Sequence, residues 1–206
     1  TKHFKPMVIG TFIMVATYSL FYIMTAFAQA YSRTPSTLSE AGYPMGLGIP
    51  ANTFTGLLLM SAIVFAIFIS ISGLYADKIG RRKWLIWTTV SILIFALCMP
   101  LFLGNGTPTS VFAFLVIGMA LMGMTFGPMA ALLPELFPTE VRYSGASLAY
   151  NIASIIGATI AAMISLKINA LYGLMGVGIY LAINAFLTLL ALLASKETKN
   201  VDLTQI

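Results

Sequence analysis

Two groups of residues in this sequence have types and spacings that could do chemistry. The first is charged: Gly73-Leu-Tyr-Ala-Asp77-Lys78-Ile-Gly80-Arg81-Arg82-Lys83, and further along Pro134-Glu135-Leu-Phe-Pro138-Thr-Glu140-Val-Arg142. Gly80 permits a tight turn, and Gly73 lets a helix end approach a neighbour closely. Asp77 is an acceptor suited to the positive N-terminus of a facing helix. Arg81 and Arg82 can fork onto carboxylates. Glu135 and Arg142 flank a turn, within reach of each other and of Arg81 or Arg82 if the two loops meet. Pro134 is expected to end one helix, and Ser144 or Thr139 to cap the next. Such groups do the chemistry of breakable ion pairing between helix ends. The alternative is an ordinary solvated loop, but a G-x3-D-x2-G-R-R spacing between two apolar blocks is hard to obtain by chance.

The second group is polar and aromatic. Thr11, Tyr18, Tyr22, Thr25 and Gln29 recur at spacings of three, four or seven, which places them on one face of a helix. Ser144, Ser147, Asn151 and Ser154 do the same in a later segment. Small and hydroxyl residues also serve close packing of membrane helices, and that reading competes for Asn151 and Ser154. Tyr18 and Tyr22 are too bulky for it, so they are expected to line a cavity. Gly127-Pro128 removes a helical hydrogen bond and should bend its helix, a candidate hinge. Met119, Met122, Met124 and Met129, on the same segment as Gly118 and Gly123, read as adaptable packing, and Asn184, with Tyr180 and Thr188, as a packing contact.

The elements that must position these residues are set by composition. Of 206 residues, 59% are hydrophobic and 8% charged, with a mean hydropathy of +0.95; a soluble domain carries about a quarter charged residues. The apolar residues form blocks long enough to cross a bilayer as helices, which takes roughly 20 residues. Six spans are expected, at 6–30, 52–76, 84–103, 111–133, 145–168 and 174–194, within one domain covering 1–206. The segment from Tyr31 to Ala51 reads as an external loop, and Leu192 as facing lipid. Lys2, Lys5, Lys78, Arg81, Arg82, Lys83, Arg142, Lys196 and Lys199 fall on one side, Arg33 and Lys167 on the other. Nine against two puts both termini in the cytoplasm. The net charge of +5 invites a nucleic-acid partner, but the basic residues sit at block ends rather than along one face. Cys98 is the single cysteine and His3 the single histidine, so neither an internal disulfide nor a metal cluster is expected, and no cofactor. No acid or base falls in the middle of a span, although proton relays need ionisable groups at that depth. The chain begins at Thr1 and is expected to be cut from something longer.

The Gly73–Lys83 pattern resembles the loop signature of the major facilitator superfamily, which follows the second helix of each six-helix half. The run from Pro134 through Tyr150, Asn151 and Ser154 resembles the C-terminal half of the metabolite:proton symporter family, and Tyr18-Ser-Leu-Phe21-Tyr22-Ile-Met-Thr25 fits it less specifically. The resemblance covers essentially the whole chain. It implies an all-α membrane fold: six transmembrane helices forming one half, a 3+3 inverted repeat, of a twelve-helix transporter. It implies an inner (plasma) membrane location and proton-coupled uptake of a small polar metabolite such as an organic acid, a betaine or a shikimate-like compound. The missing partner is then the N-terminal six-helix half. Gly73, Asp77, Gly80, Arg81, Arg82, Glu135 and Arg142 would form a cytoplasmic latch, while Tyr18, Tyr22, Thr25, Gln29, Asn151 and Ser154 would border the substrate path.

Two other functions compete. A six-helix protein could homodimerise into a carrier, because the halves of such transporters are parallel repeats. A receptor or scaffold could keep the fold without transport. An enzyme is the least expected, for want of a nucleophile–base pair or a metal cluster.

Overall fold

The computed structural model describes residues 4–195 and 197; among these, the structure is helix and loop apart from one isolated bridge between Leu38 and Pro44. Helix α1 runs Phe4–Arg33 and contains a π-helical turn at Ile23–Phe27. Helix α2 is Ala51–Ile79. Helix α3 is Arg81–Leu97, continued past Cys98 by the short helix Met99–Leu103, with Pro100 withholding an N–H at the break. Helix α4 is Pro108–Glu135. The remaining segment, Arg142–Ala194, is folded at Gly173 (φ 67°, ψ −171°) into α5, 142–172, and α6, 174–194. A second π-helical turn, Ile155–Thr159, lies within α5. Phe4–Arg33, Ala51–Ile79, Pro108–Glu135 and Arg142–Ala194 are each long and apolar enough to cross a membrane.

Several helices outrun the apolar blocks at their charged ends. Helix α2 continues to Ile79 and α3 starts at Arg81 because Gly80 (φ 112°, ψ 131°) is the only backbone break between them. Hydropathy registers the polarity of Asp77, Lys78 and Arg81, whereas the helix needs only a continuous hydrogen-bond ladder. Pro134 does not end α4; it sits in the last turn, and the chain leaves the helix at Leu136. Neither Ser144 nor Thr139 caps α5: Val141 holds the cap position without a side-chain bond.

Helix α2 packs along α4, α1 lies against α5 and α6, and α3 lies against α4 and α6. One buried apolar cluster, including Phe27, Phe54, Phe95 and Phe114, fills the end near loop 34–50. A second, including Met14, Leu85, Leu133 and Phe137, fills the end that carries the charged loops. Leu192 belongs to the second cluster and is fully buried, so it does not face lipid. The α1–α6 seam is polar. The Thr188 hydroxyl inserts into the α1 ladder, accepting from Ala16 N (3.1 Å) and donating to the Phe12 carbonyl (2.6 Å). Asn184 Nδ2 donates to Ser19 Oγ (3.0 Å). Loop 34–50 straps the α5–α6 corner: Ser39 Oγ donates to the Ala170 carbonyl (2.7 Å), and Asn169 Nδ2 donates to the Pro44 carbonyl (2.9 Å).

Candidate functional site

The charged residues converge at one end of the bundle. The Gly80 turn starts α3 so that Arg81 stands beside the last turn of α4, and there its Nη1 donates to Glu135 Oε1. Its Nε and Nη2 both donate to Asp77 Oδ1 at 3.3 Å. Glu135 is largely buried, whereas the Asp77 side chain is 65% exposed. The Arg81–Glu135 pair is therefore sheltered, while Arg81–Asp77 is a solvated i,i+4 pair of the kind worth about 0.3–0.5 kcal/mol. Burial alone would lower the Arg81 pKa, but the hydrogen bonds and charges of Glu135 and Asp77 outweigh it and raise it. The contribution of this cation is present at every pH below the ordinary arginine value and is lost only above it, outside the physiological range.

The other charges take separate partners. Arg82 Nε donates to the Leu192 carbonyl (2.7 Å) and its Nη2 to the Leu193 carbonyl (2.9 Å), closing the C-terminal end of α6. In return Glu197, just past α6, accepts from the backbone N–H groups of Arg82 (3.3 Å) and Lys83 (3.4 Å). A carboxylate there offsets the cost of three cations on a helix N-terminus. Sequence reading missed Glu197; the signal available was an acid just beyond a span, on the same side as the α3 cations. Arg142 does not reach Glu135. It donates to the Phe137 carbonyl (3.3 Å) and Thr139 Oγ1 (3.4 Å) across its own turn. Gly73 meets α4 through its backbone: a Cβ on Gly127 would lie 3.2 Å from Gly73 N, whereas a Cβ on Gly73 itself would meet no described atom within 4 Å. The tightest contacts are on the α4 side, where a Cβ on Gly123 or Gly127 would lie 2.7 Å from the Phe65 or Ile69 carbonyl of α2. Gly127 is thus packed against a neighbouring backbone, and bending at Gly127–Pro128 would have to break that contact.

Tyr18, Tyr22, Thr25 and Gln29 lie on the partly open face of α1, whereas Thr11 is buried and leaves that stripe. Thr25 Oγ1 donates to the Phe21 carbonyl (2.7 Å), beside the π-helical turn. On α5, Asn151 Nδ2 donates to the Ser147 carbonyl (2.8 Å), and Ser154 Oγ to the Asn151 carbonyl (3.0 Å). A cavity of about 630 Å³ opens between α1, α4 and α5 near the charged end. Its wall is mostly apolar, with Met14, Phe126 and Met129; Arg142 is its one charged lining residue, and Ser147 and Tyr150 add hydroxyls. None of the six path residues read from the sequence lines it. Tyr18 borders it through Tyr150, their rings edge-to-face at 5.4 Å. The Tyr18 hydroxyl is buried and makes no hydrogen bond among the described residues. The arrangement can shelter a small molecule and make or break ion pairs. Among the described residues, no group of His, Cys, Asp and Glu could hold a metal ion.

Comparison with known proteins gives the family. The profile of the sugar (and other) transporter family matches residues 45–206. A Haemophilus influenzae protein that carries a provisional name as a metabolite transport protein is 86% identical over the whole chain and 47% of its own length. The inner membrane metabolite transport protein YhjE of Escherichia coli is 52% identical over 98% of the chain and 45% of its own length. A proline/betaine transporter of Salmonella typhimurium is 28% identical over 97% of the chain and 38% of its own length. The chain therefore spans about half the length, or less, of these curated relatives. No solved structure gives a significant match. A helical, membrane-capable chain with this loop signature and these relatives belongs to the sugar (and other) transporter family of the major facilitator superfamily, a family of transporters and not of enzymes.

Proposed function

We propose that the chain is one six-helix half, a 3+3 inverted repeat, of a secondary active transporter of the inner membrane. It moves a small polar metabolite by alternating access, and its partner is a second, N-terminal six-helix half. The observation that carries this reading is the Arg81–Glu135 pair, which ties the α2–α3 turn to the end of α4 at the end where the cavity opens. Such a pair is strong enough to hold one conformation and weak enough to yield as the halves rock. Asp77, with its side chain 65% exposed, is left to meet a helix end on the partner half.

In this reading Gly73, Asp77, Gly80, Arg81, Arg82, Glu135 and Arg142 form the cytoplasmic latch, and Glu197 joins it through the start of α3. Tyr18, Tyr22, Thr25 and Gln29 border the path from the open face of α1, with Asn151 and Ser154 across from them on α5. Both termini face the cytoplasm, supported by the nine-to-two distribution of Lys and Arg. Uptake is driven by protons, and the titrating group lies in the partner half. Organic acids and betaines are the substrate classes to test; the betaine class is supported by the name of the Salmonella typhimurium relative. The test is reconstitution of the full-length transporter into liposomes under an imposed pH gradient, with a panel of both classes. Gradient-dependent accumulation of at least one is expected, and its absence across the panel from correctly folded protein refutes the reading.

A further inference from the structure

Pro128 has no N–H, so the ladder of α4 cannot use the Met124 carbonyl four residues earlier. An unpaired carbonyl is costly at membrane depth and must find another donor. Two arrive from two different helices. Ser72 Oγ, on α2, donates to it at 2.7 Å, and the Trp84 indole N–H, on α3, donates at 3.0 Å. The same indole nitrogen lies 3.0 Å from Ser72 Oγ, closing a triangle. Ser72 is fully buried, and the Trp84 ring is stacked on Tyr75 (centroids 5.6 Å, planes 17° apart). A Cβ on Gly127 would stand 3.1 Å from Ser72 Oγ, so the helices meet here with almost no side chain between them.

The junction and the ion pair share the same helices. Trp84 is one turn beyond Arg81 on α3, and Met124 is three turns before Glu135 on α4, roughly 16 Å along the axis. The α3–α4 register held at Met124 is carried along the same two helices to Arg81 and Glu135. We propose that Ser72 and Trp84 are positioning residues. They supply the donors that Pro128 withholds and thereby hold α2, α3 and α4 as one body on which the latch is built. This rests on the latch reading given above. The proline is then a socket for two neighbouring helices rather than a free hinge.

The test places Ser72→Ala and Trp84→Phe, singly and together, in the full-length transporter with and without Pro128→Ala. Phenylalanine keeps the stack on Tyr75 and removes only the N–H. The double change is expected to lower the thermal midpoint in detergent and to cut the maximal transport rate by roughly fivefold or more, with KM unchanged. Pro128→Ala, which returns the missing N–H, is expected to restore both. With Glu135→Ala already present, the double change is expected to slow transport no further. Failure of Pro128→Ala to restore the midpoint overturns the socket. An equal slowing with and without Glu135→Ala overturns the positioning role. A parent protein that transports nothing overturns the transport reading instead, while the midpoint rescue still tests the socket.

Discussion

At the scale of single residues, the charged end separates two acids that the sequence presents alike. Glu135 is the sheltered partner of Arg81, and Asp77 is its solvated neighbour with an oxygen to spare for another helix. Asp77→Asn in the full-length transporter is therefore expected to slow transport while leaving substrate affinity within a few fold. Rate and equilibrium-binding measurements on one preparation check this; a large affinity loss with normal interconversion counts against it. On α1, Tyr22→Phe removes one hydroxyl and is expected to weaken binding by about 1 kcal/mol if that group bonds substrate. Cysteines at Tyr18 and Tyr22, in a Cys98→Ala background, should label with a water-soluble reagent and be protected by substrate. Leu192 is buried and cannot serve as the lipid-facing reference, so Ile183, 54% exposed on α6, takes that place. Labelling no faster than at Ile183 removes these tyrosines from the path.

At the scale of elements, the packing of α2 on α4 and the fold at Gly173 are the sensitive points. Gly127→Val pushes a branched side chain into the Ile69 carbonyl, and overpacking of this kind costs about 1–3 kcal/mol. Gly173 holds φ 67° and ψ −171°, a region open essentially to glycine alone, with the Tyr43 ring 2.6 Å from where a Cβ would sit. Gly173→Ala is accordingly expected to cost about 1–3 kcal/mol in backbone strain and to loosen loop 34–50 from the α5–α6 corner. Thermal unfolding in detergent measures both. An unchanged midpoint for Gly173→Ala would mean that the corner relaxes without cost.

At the scale of the whole molecule, the placement of the acids decides what the chain can do alone. Among the described residues, Asp77, Glu135, Glu140 and Glu197 lie at helix ends or beyond them on one side, and Glu40 lies in loop 34–50; Asp202 lies outside the described residues. A symporter binds and releases its proton at a site whose access alternates, whereas an edge carboxylate always faces the same water. Carrying charge through the apolar centre without a paired group costs several kcal/mol. A second copy brings the same deficit, so residues 1–206 are expected to give no pH-driven uptake in liposomes. Gradient-dependent uptake by this chain alone would refute that and favour a homodimeric carrier.

The sequence by itself determined that the chain is helical, suited to a membrane and built around a recognisable loop signature. Those properties follow from backbone polarity in an apolar medium and from residue types a few positions apart. Much of the site's chemistry was decided only by the tertiary structure. Arg81 could have met Arg142's turn or Asp77 alone; the approach of α3 to α4 gave it Glu135, far along the chain. Arg82 and Glu197 exchange helix ends, and Ser72 and Trp84 answer the proline in α4, because packing brings those termini and that carbonyl together. No periodicity encodes such meetings. They depend on which helices touch and at what register, and that is set by side chains and glycines distributed over the whole bundle.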